Sequence, residues 1–266
     1  MKLLKNLINP ILKTILFFIG WSILISLTPD IKGNNPAYLR LWWEFSPFIA
    51  VLLFSFVFSF IIDKGKNKIP VFKNFSKNLF RGVILGLFWL GSVVLILSLT
   101  RTMVIQGSNS ISLLWVWILA SFFNVIMQEL LVRGYLYQLW KQKYNVFVAT
   151  IVTTSLFTLV HGGAFEAGFI AVINVVSTSI LLTVLLEYTE SIIAPIMAHF
   201  IWNTIGSIVL GGVSLASDYP NLFNSVFKGN TLLSGGNYKI EGSIIVLVVN
   251  IILILCFYLL SKKLKL

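Results

Sequence analysis

Eight apolar stretches, most of them close to the length that crosses hydrocarbon, constrain this chain more than any other feature. They run near Ile8 to Leu27, Trp42 to Ile62, Leu79 to Leu99, Ile111 to Trp140, Val146 to Val160, Ala167 to Leu186, Ile192 to Leu210 and Ser243 to Leu260. A bilayer core of about 30 Å takes roughly 20 apolar residues per helix, and only a helix or closed barrel satisfies its backbone groups there without water. At 58% hydrophobic and 11% charged, the 266 residues lack the polar surface of a soluble fold. The expected class is all-α: a polytopic membrane helical bundle with about eight transmembrane helices, filling residues 1–266 as a single integral membrane domain.

The breaks between runs carry turn chemistry, as in Thr28-Pro29-Asp30, Asp63-Lys64-Gly65-Lys66 and Gln106-Gly107-Ser108-Asn109. Assigning loops alternately to two sides puts fourteen Lys and Arg residues on the side of both termini. Five lie on the other side (Lys32, Arg40, Arg101, Lys228 and Lys239), and Arg133 is left inside a helix. Cytoplasmic loops carry the cationic excess, so both termini are expected in the cytoplasm. The net charge of +11 is thus a topology signal; no basic domain is present to hold nucleic acid, which is not expected as a partner. The lipid bilayer is the expected partner, in a membrane with a positive inside face such as a bacterial plasma membrane. The first run follows Lys2 and Lys5 as a signal peptide would, yet has no small-x-small cleavage pattern and reads as an uncleaved span. The single cysteine, Cys256, allows neither an intramolecular disulfide nor a thiolate-rich metal site. The longest non-apolar segment, Gly211 to Gly242, is too short for a separate domain and is expected to be a re-entrant or surface-lying loop.

An ionisable group inside a span costs on the order of 2.5 to 3.5 kcal/mol on insertion scales, so each one calls for a partner or a function. The fourth run holds Asn124, Gln128, Glu129 and Arg133, with the carboxylate and guanidinium four residues apart on one helical face. The fifth ends in Phe157-Thr158-Leu159-Val160-His161-Gly162-Gly163, where two glycines permit a helix end. The seventh holds His199 one turn before Asn203. Both histidines of the chain therefore lie in apolar runs, on different helices from Glu129. A carboxylate with two imidazoles can hold and deprotonate a water, and an amide donor can stabilise a tetrahedral oxyanion, which points to amide hydrolysis.

On these residues the chain resembles the CAAX-protease and bacteriocin-processing (CPBP, Abi) family of intramembrane proteases. That family carries E-E-x-x-x-R, F-x-x-x-H and H-x-x-x-N or D on successive core helices. Here the motifs read QELLVR, FTLVH and HFIWN, with Gly134 and the run Ser191 to His199 adding to a likeness over roughly residues 110–210. The resemblance implies an intramembrane endopeptidase that cuts a membrane-associated or prenylated-like peptide or protein; bacterial members are linked to bacteriocin maturation or immunity. Carried over by position, it makes Glu129, His161, His199 and Asn203 the catalytic set, with Gln128 and Arg133 supporting. His161 would hold the water, His199 and Asn203 the oxyanion, and Arg133 would orient the acid.

The family's first motif usually opens with two glutamates, and Gln128 stands where the first, the water-activating one, is expected. Successive helical residues point about 100° apart, so Glu129 replaces that group only if the helix rotates. Three structural readings remain open beside the catalytic one: Glu129 and Arg133 neutralising each other, Asn124 and Gln128 forming a hydrogen-bond ladder, and each histidine bonding a nearby backbone or helix. The corresponding functional alternative is a catalytically silent immunity or scaffold protein that binds a partner. His161 and His199 with the carboxylate would also suffice for a divalent metal such as zinc, although H-E-x-x-H is absent. Glu129 and His199 lie about 10 to 15 Å from the Lys- and Arg-rich ends of their helices, which places the expected site in the cytoplasmic half. Gly82 and Gly86 form a G-x-x-x-G expected to pack helices.

Overall fold

The computed structural model describes residues 2–214 and 218–263. Every apolar run is helical. The helices are α1 (Lys2–Ser26), α2 (Pro36–Phe56), α3 (Phe75–Leu99), α4 (Leu114–Glu129), α5 (Tyr135–Lys143), α6 (Val146–Val160), α7 (Gly162–Ala167), α8 (Phe169–Thr189), α9 (Ile193–Asn203), α10 (Thr231–Ser234) and α11 (Ile244–Lys263). Wide π-helical turns extend α2 (Val57–Ile62) and α9 (Thr204–Val209) and join α4 to α5 (Leu130–Gly134). Among the described residues six helical segments are long and apolar enough to cross a membrane: Ile8–Ser26, Pro36–Ile62, Phe75–Leu99, Leu114–Lys143, Phe169–Thr189 and Gly236–Ser261. The chain is thus a polytopic helical bundle, with Val146–Val160 and Ile193–Val209 as shorter apolar members.

Local chemistry sets several boundaries. Asn35 caps α2 by accepting from the Ala37 amide at 3.0 Å, with Pro36 pre-set for the first turn. Asn145 caps α6 by accepting from the Val148 amide at 2.9 Å, which separates it from α5. At 15 residues, α6 rises only about 22 Å and so stops short of a full crossing. Its end leads through α7 to Gly168, whose φ of 100° is a turn that an L side chain adopts only with strain.

The expected G-x-x-x-G contact is present between α3 and α9. A Cβ on Gly82 would lie 2.4 Å from the Ala194 carbonyl oxygen, and one on Gly86 would lie 2.7 Å from the Ile201 Cβ. Backbones therefore meet where α9 carries His199. Gly86→Val is expected to lower stability by about 1–3 kcal/mol through overpacking. Gly91→Ala, with nothing within 4 Å of its added carbon, should be neutral or mildly stabilising; thermal unfolding in detergent separates the two. Deeper in the same layer Trp89 stacks on Trp202 at 4.1 Å and donates its indole N–H to Asn250 Oδ1 at 2.7 Å, joining α3 and α9 to α11.

One element is not helical. Strands β1 (Met103–Ser108) and β2 (Phe223–Phe227) pair antiparallel, with Met103 opposite Phe227 and Ile105 opposite Ser225. The segment expected as a re-entrant or surface loop folds as a cap over one end of the bundle, with residues 215–217 outside the described set. It is tied down by the Ile240 amide donating to the Gly212 carbonyl at 3.1 Å and by the Tyr238 hydroxyl donating to the Glu166 carbonyl at 2.9 Å.

Candidate active site

Helix α4 presents its polar residues in two directions, as the 100° step between neighbours requires. Glu129 points into protein and is fully buried, with both carboxylate oxygens 2.9 Å from Arg133 Nη1. Arg133, also fully buried, donates from Nη2 to the Ser179 carbonyl (2.9 Å) and hydroxyl (3.0 Å), and from Nε to Thr183 Oγ1 (3.3 Å), both on α8. The π-turn Leu130–Gly134 carries this arginine, and its guanidinium lies 5.0 Å from the Phe157 ring centre. Charge, donors and ring thus close the pair without water, the arrangement a buried ion pair needs to be tolerable.

Glu129 has a second partner. His199 Nδ1 lies 2.8 Å from Glu129 Oε1, and because a carboxylate only accepts, the proton of that bond sits on Nδ1. The imidazole is 3% exposed and its other nitrogen, Nε2, is left for the cavity it lines. His161 follows the last residue of α6 with non-helical backbone (φ −96°, ψ 53°), and its Nδ1–H donates to the Phe157 carbonyl at 2.7 Å. Its neutral ring therefore offers a lone pair on Nε2. Phe157 stands between the two imidazoles, with ring centres 4.1 Å from His161 and 6.1 Å from His199, which explains the aromatic one turn before the histidine.

A cavity of about 680 Å³ brings Gln128, His161, His199 and Asn203 onto one surface, while Glu129 and Arg133 lie behind it. Among the described residues the Asn203 side chain makes no hydrogen bond, so its amide N–H groups are unspent. Gln128 donates from Nε2 to Asn124 Oδ1 (2.7 Å), and Asn124 donates from Nδ2 to Glu44 Oε2 (2.8 Å). The Asn124–Gln128 ladder and the Glu129–Arg133 pair both exist, and the same side chains build the wall of the cavity and its backing.

Glu44 was not singled out by sequence reasoning. It is 6% exposed, lines the cavity, and is paired with Arg40 at 3.1 Å. Its signal was present: Arg40 and Glu44 are four apart at the start of an apolar helix, the spacing that exposed Glu129 and Arg133. Arg40 is shared with Asp218 and stacks on Tyr219, both in the cap.

The cavity opens at the end of the bundle with few Lys and Arg residues, where its exposed walls are Val160, Gly162, Gly163, Glu166, Ser214 and Tyr238, at the end of α6, in α7 and in the cap. Because α6 ends early, the space above His161 is open toward that end rather than toward the Lys- and Arg-rich one.

Metal ligation has a simple test in the donor set. Both Nδ1 atoms are engaged and two Nε2 atoms are available, but among the described residues no group of three His, Cys, Asp or Glu side chains is assembled to hold a metal ion. Catalytic zinc sites use three protein ligands, and here Glu129, the carboxylate next to His199, is already shared between Arg133 and His199.

Residues 110–205 match the family model described as Rce1-like, type II CAAX prenyl endopeptidase. No curated protein and no solved structure matches the chain.

Proposed function

From the premise that residues 110–205 are a CAAX-protease core of the Rce1-like family, we propose that the chain is an intramembrane endopeptidase. It hydrolyses a peptide bond of a membrane-associated peptide or protein with water activated by imidazole. The observation that carries the reading is the convergence of His161, at the end of α6, with His199 and Asn203, both on α9, on one cavity behind which Glu129 and Arg133 are fully paired.

The roles follow from donors and acceptors. His161 Nε2 accepts the proton of the attacking water. Gln128 cannot take a proton, but its Oε1 is buried without a partner and accepts the water's other hydrogen bond. As the water oxygen bonds to the carbonyl carbon, the carbonyl electrons move to oxygen and the developing oxyanion receives an N–H donor from Asn203, with His199 on the same surface. His161 then returns the proton to the leaving nitrogen as the C–N bond breaks. Glu129 does not meet the substrate; it fixes the orientation and tautomer of His199, as the carboxylate of a catalytic triad does for its imidazole. Arg133 positions Glu129.

The test is cleavage of a membrane-peptide library by the purified protein in lipid discs. Wild type should cut, and Asn203→Ala, which loses an oxyanion donor but no protein hydrogen bond, should be slower by about 10²–10³ with an unchanged unfolding temperature. If wild type cuts nothing, or folded His199→Ala and Asn203→Ala match its rate, the same polar core is that of a partner-binding immunity or scaffold protein.

A further inference from the structure

We propose that the cap end of this cavity binds a cationic peptide segment, one bearing Lys or Arg side chains or a free α-amino group; this names the substrate chemistry of the protease reading and rests on it. The chain has 20 Lys and Arg residues against nine Asp and Glu residues. The cavity inverts that balance, because Glu44, Glu166 and Glu241 line it and Arg40 is the sole cation among its described lining residues. Arg40 is itself divided between Glu44 and Asp218. A cleft with carboxylates on low-dielectric walls focuses negative potential and concentrates cations.

An independent feature points to the same ligand. Asn174, 3% exposed and lining the cavity beside Glu241, gives its amide hydrogens to the Glu241 carbonyl (2.8 Å) and the Ser243 carbonyl (2.9 Å), which fixes its orientation. Its Oδ1 is buried with no partner. The wall therefore offers a buried acceptor and carboxylates, and a buried acceptor without a donor is costly. Ammonium and guanidinium groups supply only donors, which is the complement. A neutral segment brings no charge to the exposed Glu166 and the half-buried Glu241, and an anionic one is repelled. Glu166 is exposed at the rim while Glu44 reaches Gln128 through Asn124, so the acceptors run from the opening to the reacting groups.

Binding is measured on His161→Ala protein in phosphatidylcholine discs, which lack anionic lipid. The probes are a fluorescent amphipathic peptide carrying lysines and its glutamine and glutamate counterparts. The lysine peptide should bind about tenfold or more tightly than the glutamine one, and added salt should weaken it. Glu166→Lys, at an exposed position that folding tolerates, and Glu241→Gln, which still accepts from the Ser214 amide now 2.9 Å away, should each reduce the preference. Equal binding of the three peptides, or a lysine preference that survives both substitutions together, overturns the proposal. Since this assay reads binding and not cleavage, failure of the protease reading shows instead as absence of cleavage by wild type.

Discussion

Arg133→Leu is expected to destabilise the bundle by about 3–5 kcal/mol. The arginine is fully buried and makes hydrogen bonds to Glu129, Ser179 and Thr183, so its loss leaves the Glu129 carboxylate in protein with only His199 for company. The penalty comes from the orphaned charge more than from the lost contact, and the double variant tests this. Glu129→Gln in the same chain removes the charge while keeping an oxygen that accepts from His199 Nδ1–H. Arg133→Leu/Glu129→Gln should therefore be more stable than Arg133→Leu alone, with a coupling of about 0.5–3 kcal/mol. Reversible unfolding in mixed micelles gives both values; additive effects would mean that the two side chains are independently solvated and that the buried pair does not hold.

The pair shows how far sequence reasoning reaches here. Spacing alone predicts that Glu129 and Arg133 share a face and that Gln128 points elsewhere, and both hold because helical geometry is local. The eight apolar runs, the packing role of Gly82 and Gly86, and the helix end at His161 are legible for the same reason. What is not legible depends on contacts between distant segments. The Nδ1 bond of His199 to Glu129 spans 70 residues, and it ties that carboxylate to a second helix behind the cavity wall. Glu44 reaches Gln128 through Asn124 across 80 residues, and no local pattern pairs those helices. The cap, Gly211 to Gly242, reads in the sequence as a re-entrant or surface-lying loop, rich in Gly, Asn and Ser. That content instead serves a β ribbon and tight turns, including Gly235 at φ 80°, where a Cβ would lie 1.6 Å from the Lys239 carbonyl oxygen. The opening of the cavity beside His161 follows from the cap and the short α6 together.

His161→Ala is expected to lower turnover by about 10²–10⁴ while leaving the fold nearly unchanged. The stability half of this claim comes from the imidazole's position just past the end of α6, where its one protein hydrogen bond is to the Phe157 carbonyl four residues back. The activity half comes from Gln128: with an amide where the family's motif has its first glutamate, the lone pair on His161 Nε2 is the base in the cavity closest in kind to a proton acceptor for water. That reasoning makes a second, sharper demand. Gln128→Glu puts a carboxylate on the same wall, keeps an oxygen beside Asn124, and should hold or raise the turnover of wild type. In the His161→Ala background it should restore part of the lost rate, because the carboxylate then takes the proton that the imidazole took. Single-turnover cleavage of one peptide by the four proteins decides the assignment. Rescue identifies proton acceptance as the missing step, whereas a folded His161→Ala protein with the wild-type rate, or a Gln128→Glu protein that is folded and inactive, would show that water is activated from another wall of the cavity.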